Sequence, residues 1–321
     1  MASLRGGRPP TVDAMTLTAS PSAAAEAPGG CPDHVGSVVD HRRLTGERAL
    51  YASRDLTIAH STFADGESPL KESRGLRISD TVFEWKYPLW YCRDVSVTGG
   101  ALLETARSGI WYTDDIRLDG TLVAAPKTFR RGRGISLRRV DLPHAEETLW
   151  SCREFTLEDV NATGDYFAKD AAGVTAERLR LTGNYAFDGA RDVTVRDSVL
   201  LSKDAFWNCE NVVVENSMIV GEYLGWNSRN VTFVDCTIQS LQGLCYIDGL
   251  VLRGCRLLDT TLAFEYCRGI DAEVIGHLDS LTDPADGVIR AGSIGEQIIH
   301  PDRVDPAATR IETGWSPQAV A

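Results

Sequence analysis

The chain has 321 residues, 43% of them hydrophobic, and a formal net charge of −12. That apolar content suffices for a packed core, while the acidic balance argues against nucleic acid or an anionic membrane as a partner, since both need a basic footprint. No run of 18 apolar residues occurs, so no membrane-spanning helix is expected.

Residues 1–38 are rich in Ala, Pro, Gly and Ser and read as a disordered tail. They lack the apolar segment of a secretory signal, so the cytoplasm is the expected compartment. Residues 39–278 read as one repeat with an N-terminal cap. Between Leu56 and Ile270 a turn residue followed by apolar, polar, apolar recurs twelve times. The leading positions are Leu56, Leu76, Val95, Ile116, Ile135, Phe155, Val174, Val193, Val212, Val231, Leu250 and Ile270, spaced 19, 20 or 21 apart. A fixed period near 20 means a solenoid, and alternation within it means strands. A second apolar column follows two residues later, from Ile58 and Ile78 to Leu252, and a third runs from Phe63 and Phe83 to Leu257. A fourth contains Leu89, Ile110, Phe129, Leu149, Phe167, Phe187, Phe206, Leu244 and Phe264. Asp, Asn or Gly precedes most leading residues, as a sharp corner requires. The expected fold is all-β: a single-stranded right-handed parallel β-helix of about 11–12 coils, each with three short strands. From residue 279 to 321 the period fades, and an irregular coil, cap and tail are expected.

Eight cysteines invite a metal or disulfide reading, but no CxxC occurs. Cys92, Cys152, Cys209 and Cys267 share a repeat position with Ser73, Thr113 and Ser228, while Cys236 and Cys255 share another with Ser61, Thr81 and Ser217. Small residues exchanging with Cys describe buried thiols. The six His show no ligand spacing, so no metal and no cofactor is expected.

One face of the coil carries chemistry. Directly after the fourth column come Lys71, Trp90, Trp111, Arg130, Trp150, Ala168, Asp188, Trp207, Trp226, Cys245 and Glu265, and this column holds five of the seven Trp. Charged members of the column argue that it points outward, because unpaired buried charges are costly. Beside it lie Tyr87, Lys127, Glu147, Asp165, Tyr185, Asp204 and Tyr223, flanked by Lys86, Arg107, Glu146, Lys203 and Glu222 on one side and Asn208 on the other. Rings interleaved with charges suit sugars and other polar ligands with apolar faces. Trp90, Trp111, Trp150, Tyr185, Trp207, Tyr223 and Trp226 are candidate walls. Arg107, Lys127 and Arg130 are candidate contacts to an anionic group, and Glu147 and Asn208 candidate polar contacts. Where Ala168 and Asp188 interrupt the Trp column, a pocket is expected with Asp188 at its floor. Asp165, Asp188, Asp204 and Glu222 are candidate acids or nucleophiles, with Lys203 as an alternative base. Carboxylates a coil or two apart lie about 5–10 Å from one another, which spans the separations used in glycoside cleavage.

The motifs GERALY, GESPLK, FEWKYPLWYC, GIWYT, APKTFRR, ETLWSC, GDYF, GNYAFDGA, SKDAFWNC, GEYLGWNS, QGLCYID and AFEYC stand in this order between Gly46 and Cys267. They resemble the signatures of an uncharacterised bacterial family, a domain of unknown function. The resemblance implies a single-stranded right-handed parallel β-helix, pectin-lyase-like in shape, and it brings no catalytic residues. The expected function is an intracellular carbohydrate-active enzyme, hydrolase or lyase in type, acting on a small, anionic saccharide. Two alternatives stay open: an isomerase or cyclase acting on a compact metabolite in the same pocket, and a non-catalytic glycan-binding or assembly protein. A homo-oligomer is compatible with each.

Overall fold

The computed structural model describes residues 35–317. The tail expected over 1–38 lies outside the described residues up to residue 34. From there the chain winds into a parallel β-solenoid of about 15 turns. One sheet stacks the longer strands, such as Arg133–Arg138, Arg153–Glu158 and Ala172–Glu177. Their leading and second columns pair in register, Ile135 with Phe155 and Phe155 with Val174, and Leu137 with Leu157 and Leu157 with Ala176. A second sheet stacks two- to five-residue strands such as Asp141–Leu142 and Asn161–Thr163. Here Leu142 pairs with Ala162 and Ala162 with Leu181.

All four apolar columns point inward and form one continuous core, with Phe83, Phe129, Phe155, Phe187, Phe206 and Phe264 fully buried. Each buried ring contributes about 1.5–3 kcal/mol of transfer free energy. The Cys positions are satisfied there. The Cys92, Cys209 and Cys267 thiols donate to the carbonyls of Leu70, Phe187 and Leu244, just as the Thr113 and Ser228 hydroxyls donate to Leu89 and Phe206. In these coils one carbonyl takes a side-chain donor, which Cys, Ser and Thr all supply.

The third side of each coil is built from stacked turns instead of a third strand. Its residues alternate into the left-handed region, as at Tyr185, Phe187 and Gly189 with φ of 58°, 63° and 73°. Left-handed non-Gly residues cost roughly 1 kcal/mol each. The hydrogen bonds offset that cost: Tyr185 N–H donates to Lys203 O of the following coil, and Phe187 N–H to Phe167 O of the preceding one, both at 2.8–2.9 Å. Where this side meets the second sheet, coils approach so closely that a Cβ on Gly183 would lie 2.1 Å from Gly164 O.

The ladder also extends past both ends of the sequence repeat. Val38–Asp40 pairs with Thr57–Ala59, and Arg43–Leu44 with Thr62–Phe63, so the segment read as a cap is itself a coil. At the other end Asp248–Thr261 bends through both sheets. Ile270–Thr282, Gly287–Ile298 and Thr309–Thr313 then continue in parallel, where an irregular coil and cap were expected from residue 279. The spacing changes there: Ile270 pairs with Gly287 and Gly287 with Thr309, so the 19–21 period disappears although the coils persist.

Candidate functional site

Backbone hydrogen bonds fix the register of the turn side. N–H groups of Tyr112, Arg131, Ser151, Asp170, Gly189 and Asn208 donate to the carbonyls of Arg130, Trp150, Lys169, Asp188, Trp207 and Trp226 at 2.7–3.1 Å. One column therefore runs Trp90, Trp111, Arg130, Trp150, Lys169, Asp188, Trp207, Trp226. Lys169 stands where Ala168 was expected, and Ala168 is buried in the Phe column beside Leu149 and Phe187. The coil reads Phe167–Ala168 where the next reads Ala186–Phe187, so matching the phenylalanines shifts it by one residue. The same shift places Tyr166, not Asp165, in the column of Tyr185 and Asp204.

The ladder covers its own faces. Trp90 and Trp111 stack at 5.2 Å and 6°, and the Arg130 guanidinium sits 4.9 Å from the centroids of both Trp111 and Trp150. Lys169 Nζ lies 5.7 Å from Trp150, Trp207 and Trp226 are 5.8 Å apart, and Tyr166 stacks on Tyr185 at 4.8 Å. Coil spacing is close to ring-stacking distance, so like residues in successive coils pack face to face. The indole N–H groups of Trp111 and Trp207 donate to Lys127 O and Tyr223 O at 2.7 Å. These rings turn edges to solvent. Beside the walls expected of Trp150, Trp207 and Trp226, Lys169 and Tyr166 pack against Trp150, and Tyr185 stands edge-on to Trp207 at 5.7 Å.

The candidate acids separate into different roles. Asp188 is buried and its two oxygens are taken by Lys169 Nζ and Asn208 Nδ2. Exposed Asp165 accepts the Asn184 N–H at 2.7 Å. Lys203 pairs with Glu222 at 3.0 Å, which holds its ammonium above the usual lysine range. Glu147 binds both Lys127 and Arg130. Asp204 differs from these: it is 2% exposed, and its Oδ1 has no hydrogen-bond partner among the described residues. Burial pushes its carboxyl up, against the opposing pull of Tyr185 and Lys203. Burial and the neighbouring Asp204 push the Tyr185 phenol up in turn.

An open cleft of about 670 Å³ lies on the outer flank of this ladder. Backbone register places Lys86, Arg107, Pro126 and Glu146 along its floor in four successive coils, a run of about 15 Å at the coil spacing. Trp85 and Lys127 add to the lining. The short 3-10 turn Glu104–Ala106 bulges outward as a wall, and His144 Nε2 reaches Glu104 Oε1 at 3.2 Å across the cleft. Gly164 lets the floor close up, since a Cβ there would meet Glu146 N at 2.3 Å. Lys86 is paired with Glu67 at 2.9 Å, and Lys127 with Glu147 at 3.1 Å. Arg107 and Glu146 form no ion pair among the described residues, and both are exposed to the cleft. Sequence reasoning named Arg107 and Lys127 but missed Trp85, Glu104, Thr105 and His144 as lining. Its one signal was the 21-residue step from Val95 to Ile116, whose extra residues build the wall.

The fold and site define a parallel β-solenoid with a self-stacked aromatic ladder and a charged cleft beside it. The chain belongs to the DUF3737 family, described as a protein of unknown function, whose pattern spans residues 37–312. No curated protein matches it. Among solved structures it is similar to the A-module of the Azotobacter vinelandii mannuronan C-5 epimerase AlgE4, at 11% identity over 88% of this chain and 90% of that one, TM-score 0.31. It is also similar to PfbA, a surface adhesin of Streptococcus pneumoniae, at 8% identity over 84% and 74%, TM-score 0.29. A third is HetL, a pentapeptide repeat protein involved in heterocyst differentiation regulation in Nostoc, at 12% identity over 74% and 91%, TM-score 0.23. Among the described residues no helix is long and apolar enough to cross a membrane.

Proposed function

We propose that this protein is a carbohydrate-active β-solenoid that holds a short anionic saccharide in the cleft between Trp85 and His144 and acts on it by acid–base chemistry. The observation that carries this reading is the pair Arg107 and Glu146: opposite charges on one cleft floor, neither in an ion pair among the described residues, beside an indole. An unpaired guanidinium offers a fork for a sugar carboxylate, and Trp85 with Pro126 offers an apolar surface for the ring. Glu146 is the group placed to take or give a proton, with His144 as its counterpart. The seven free, buried thiols among the described residues suit a reducing compartment, in keeping with an intracellular setting.

Turnover of a panel of uronate and neutral oligosaccharides tests this. Glu146→Gln should abolish turnover while leaving binding within a few-fold, and Arg107→Ala should raise KM for acidic substrates alone. Full activity in both variants sinks the assignment. A second reading places the proton transfer at Asp204, on the strength of its raised pKa and unpartnered Oδ1. It requires Asp204→Asn, and not Glu146→Gln, to abolish turnover.

A further inference from the structure

We propose that Asp40, His41 and His60 form a binding site for a zinc-class divalent cation at the start of the solenoid. Successive coils stack the same corner position, which here runs His41, His60 and Asp80. All three are in the left-handed region, with φ of 51°, 45° and 42°. Gly99, Gly120 and Arg139 take the corner in the next coils. Asn, Asp or Gly would satisfy the backbone at such a corner, so geometry alone does not ask for two imidazoles.

The donors converge. His41 Nδ1 and His60 Nδ1 each lie 2.9 Å from the same Asp40 Oδ1, and the two rings stack at 4.7 Å and 28°. One ligand atom from each of the three residues falls within 4.8 Å of the others. Zinc–nitrogen and zinc–oxygen bonds of about 2.0–2.2 Å need these atoms drawn closer, and the side chains are exposed and free to rotate inward. Asp80 Oδ2 lies 3.9 Å from His60 Nε2, on the side of the ring away from the donors. At 2.9 Å from a carboxylate oxygen each Nδ1 carries the hydrogen it donates, so the cation displaces that proton on binding. Asp80 is beyond hydrogen-bond distance and would have to move closer to hold the Nε2–H of a metal-bound His60. Two imidazoles and one carboxylate select a borderline cation of the Zn²⁺, Ni²⁺ or Cu²⁺ kind over Mg²⁺ or Ca²⁺. Open water positions complete the coordination. The His pair lies 19 residues apart, one coil, so no short sequence spacing marks it.

Calorimetric titration of the full chain with ZnCl₂ tests the site. His41→Asn/His60→Asn suits the left-handed corner and should lose one equivalent of Zn²⁺. Asp40→Asn should weaken that equivalent at least about tenfold, and Asp80→Asn by a smaller factor. Melting should follow: Zn²⁺ raises the Tm of the wild type, because it ties the first coil to the second, and leaves the double variant unmoved. An unchanged stoichiometry and affinity in the double variant overturns the proposal, as does a wild type that takes up no Zn²⁺.

Discussion

Replacing Arg130 removes a cation sandwiched between two indoles. Its guanidinium lies 4.9 Å from the centroids of Trp111 and Trp150, and its side chain, 24% exposed, pairs with Glu147. Each partly desolvated cation–π contact is worth about 1 kcal/mol. The half-exposed ion pair adds about 0.5–1 kcal/mol. Arg130→Ala should therefore cost about 2–3 kcal/mol, which for a chain of this size is a fall in Tm of about 4–6 °C. Arg130→Lys keeps the charge but not the flat stacking surface, so it should recover less than half of the loss. Differential scanning fluorimetry of the three proteins measures both effects. A Tm in Arg130→Ala within 1 °C of wild type, or full recovery by Lys, refutes the idea that stacked faces hold the ladder together.

Other outcomes follow from the same geometry. The folded pKa of Asp204 is raised by burial, so the folded state grips its proton more tightly than the unfolded chain does. Its stabilising contribution is complete below the unfolded value of about 3.9 and is lost as pH rises through the folded pKa. Asp204→Asn should consequently be more stable than wild type at neutral pH, with the gap closing as pH falls below the unfolded value of about 3.9. Denaturant curves at several pH values would contradict this by showing a constant or reversed gap. Gly183→Ala puts a Cβ 2.1 Å from Gly164 O, a backbone atom with nowhere to go, and should cost about 3 kcal/mol or more. A melting temperature close to wild type would show that the coils do not approach so closely.

Much of the fold is legible because its inner columns obey a period of two within a period near twenty. Leu56, Ile58 and Phe63 already separate inside from outside, and every residue of those columns is buried. The turn side is harder to read. Every second residue of its backbone is left-handed over stretches such as Tyr185–Gly189, so no simple side-chain alternation sets its register, and apolar identity misleads where Phe167–Ala168 faces Ala186–Phe187. That single shift created the expected pocket between Trp150 and Trp207, which an ion pair of Lys169 and Asp188 fills. The coils after Ile270 were hidden because their lengths change while their hydrogen bonds do not. Half of the cleft was hidden for another reason: Trp85, Glu104 and His144 come from three different coils and lie off the repeated columns, Glu104 in the 3-10 bulge.

On the function proposed above, the cleft and not the Trp ladder receives the ligand. Isothermal titration of short uronate oligosaccharides against wild type, Arg107→Ala and Trp226→Phe compares them directly. Loss of a charged hydrogen bond, about 1.5–3 kcal/mol, should weaken binding by roughly 10- to 100-fold in Arg107→Ala. Trp226→Phe should bind as wild type does. Strong binding in Arg107→Ala with loss in Trp226→Phe would contradict the account and return the ligand to the ladder.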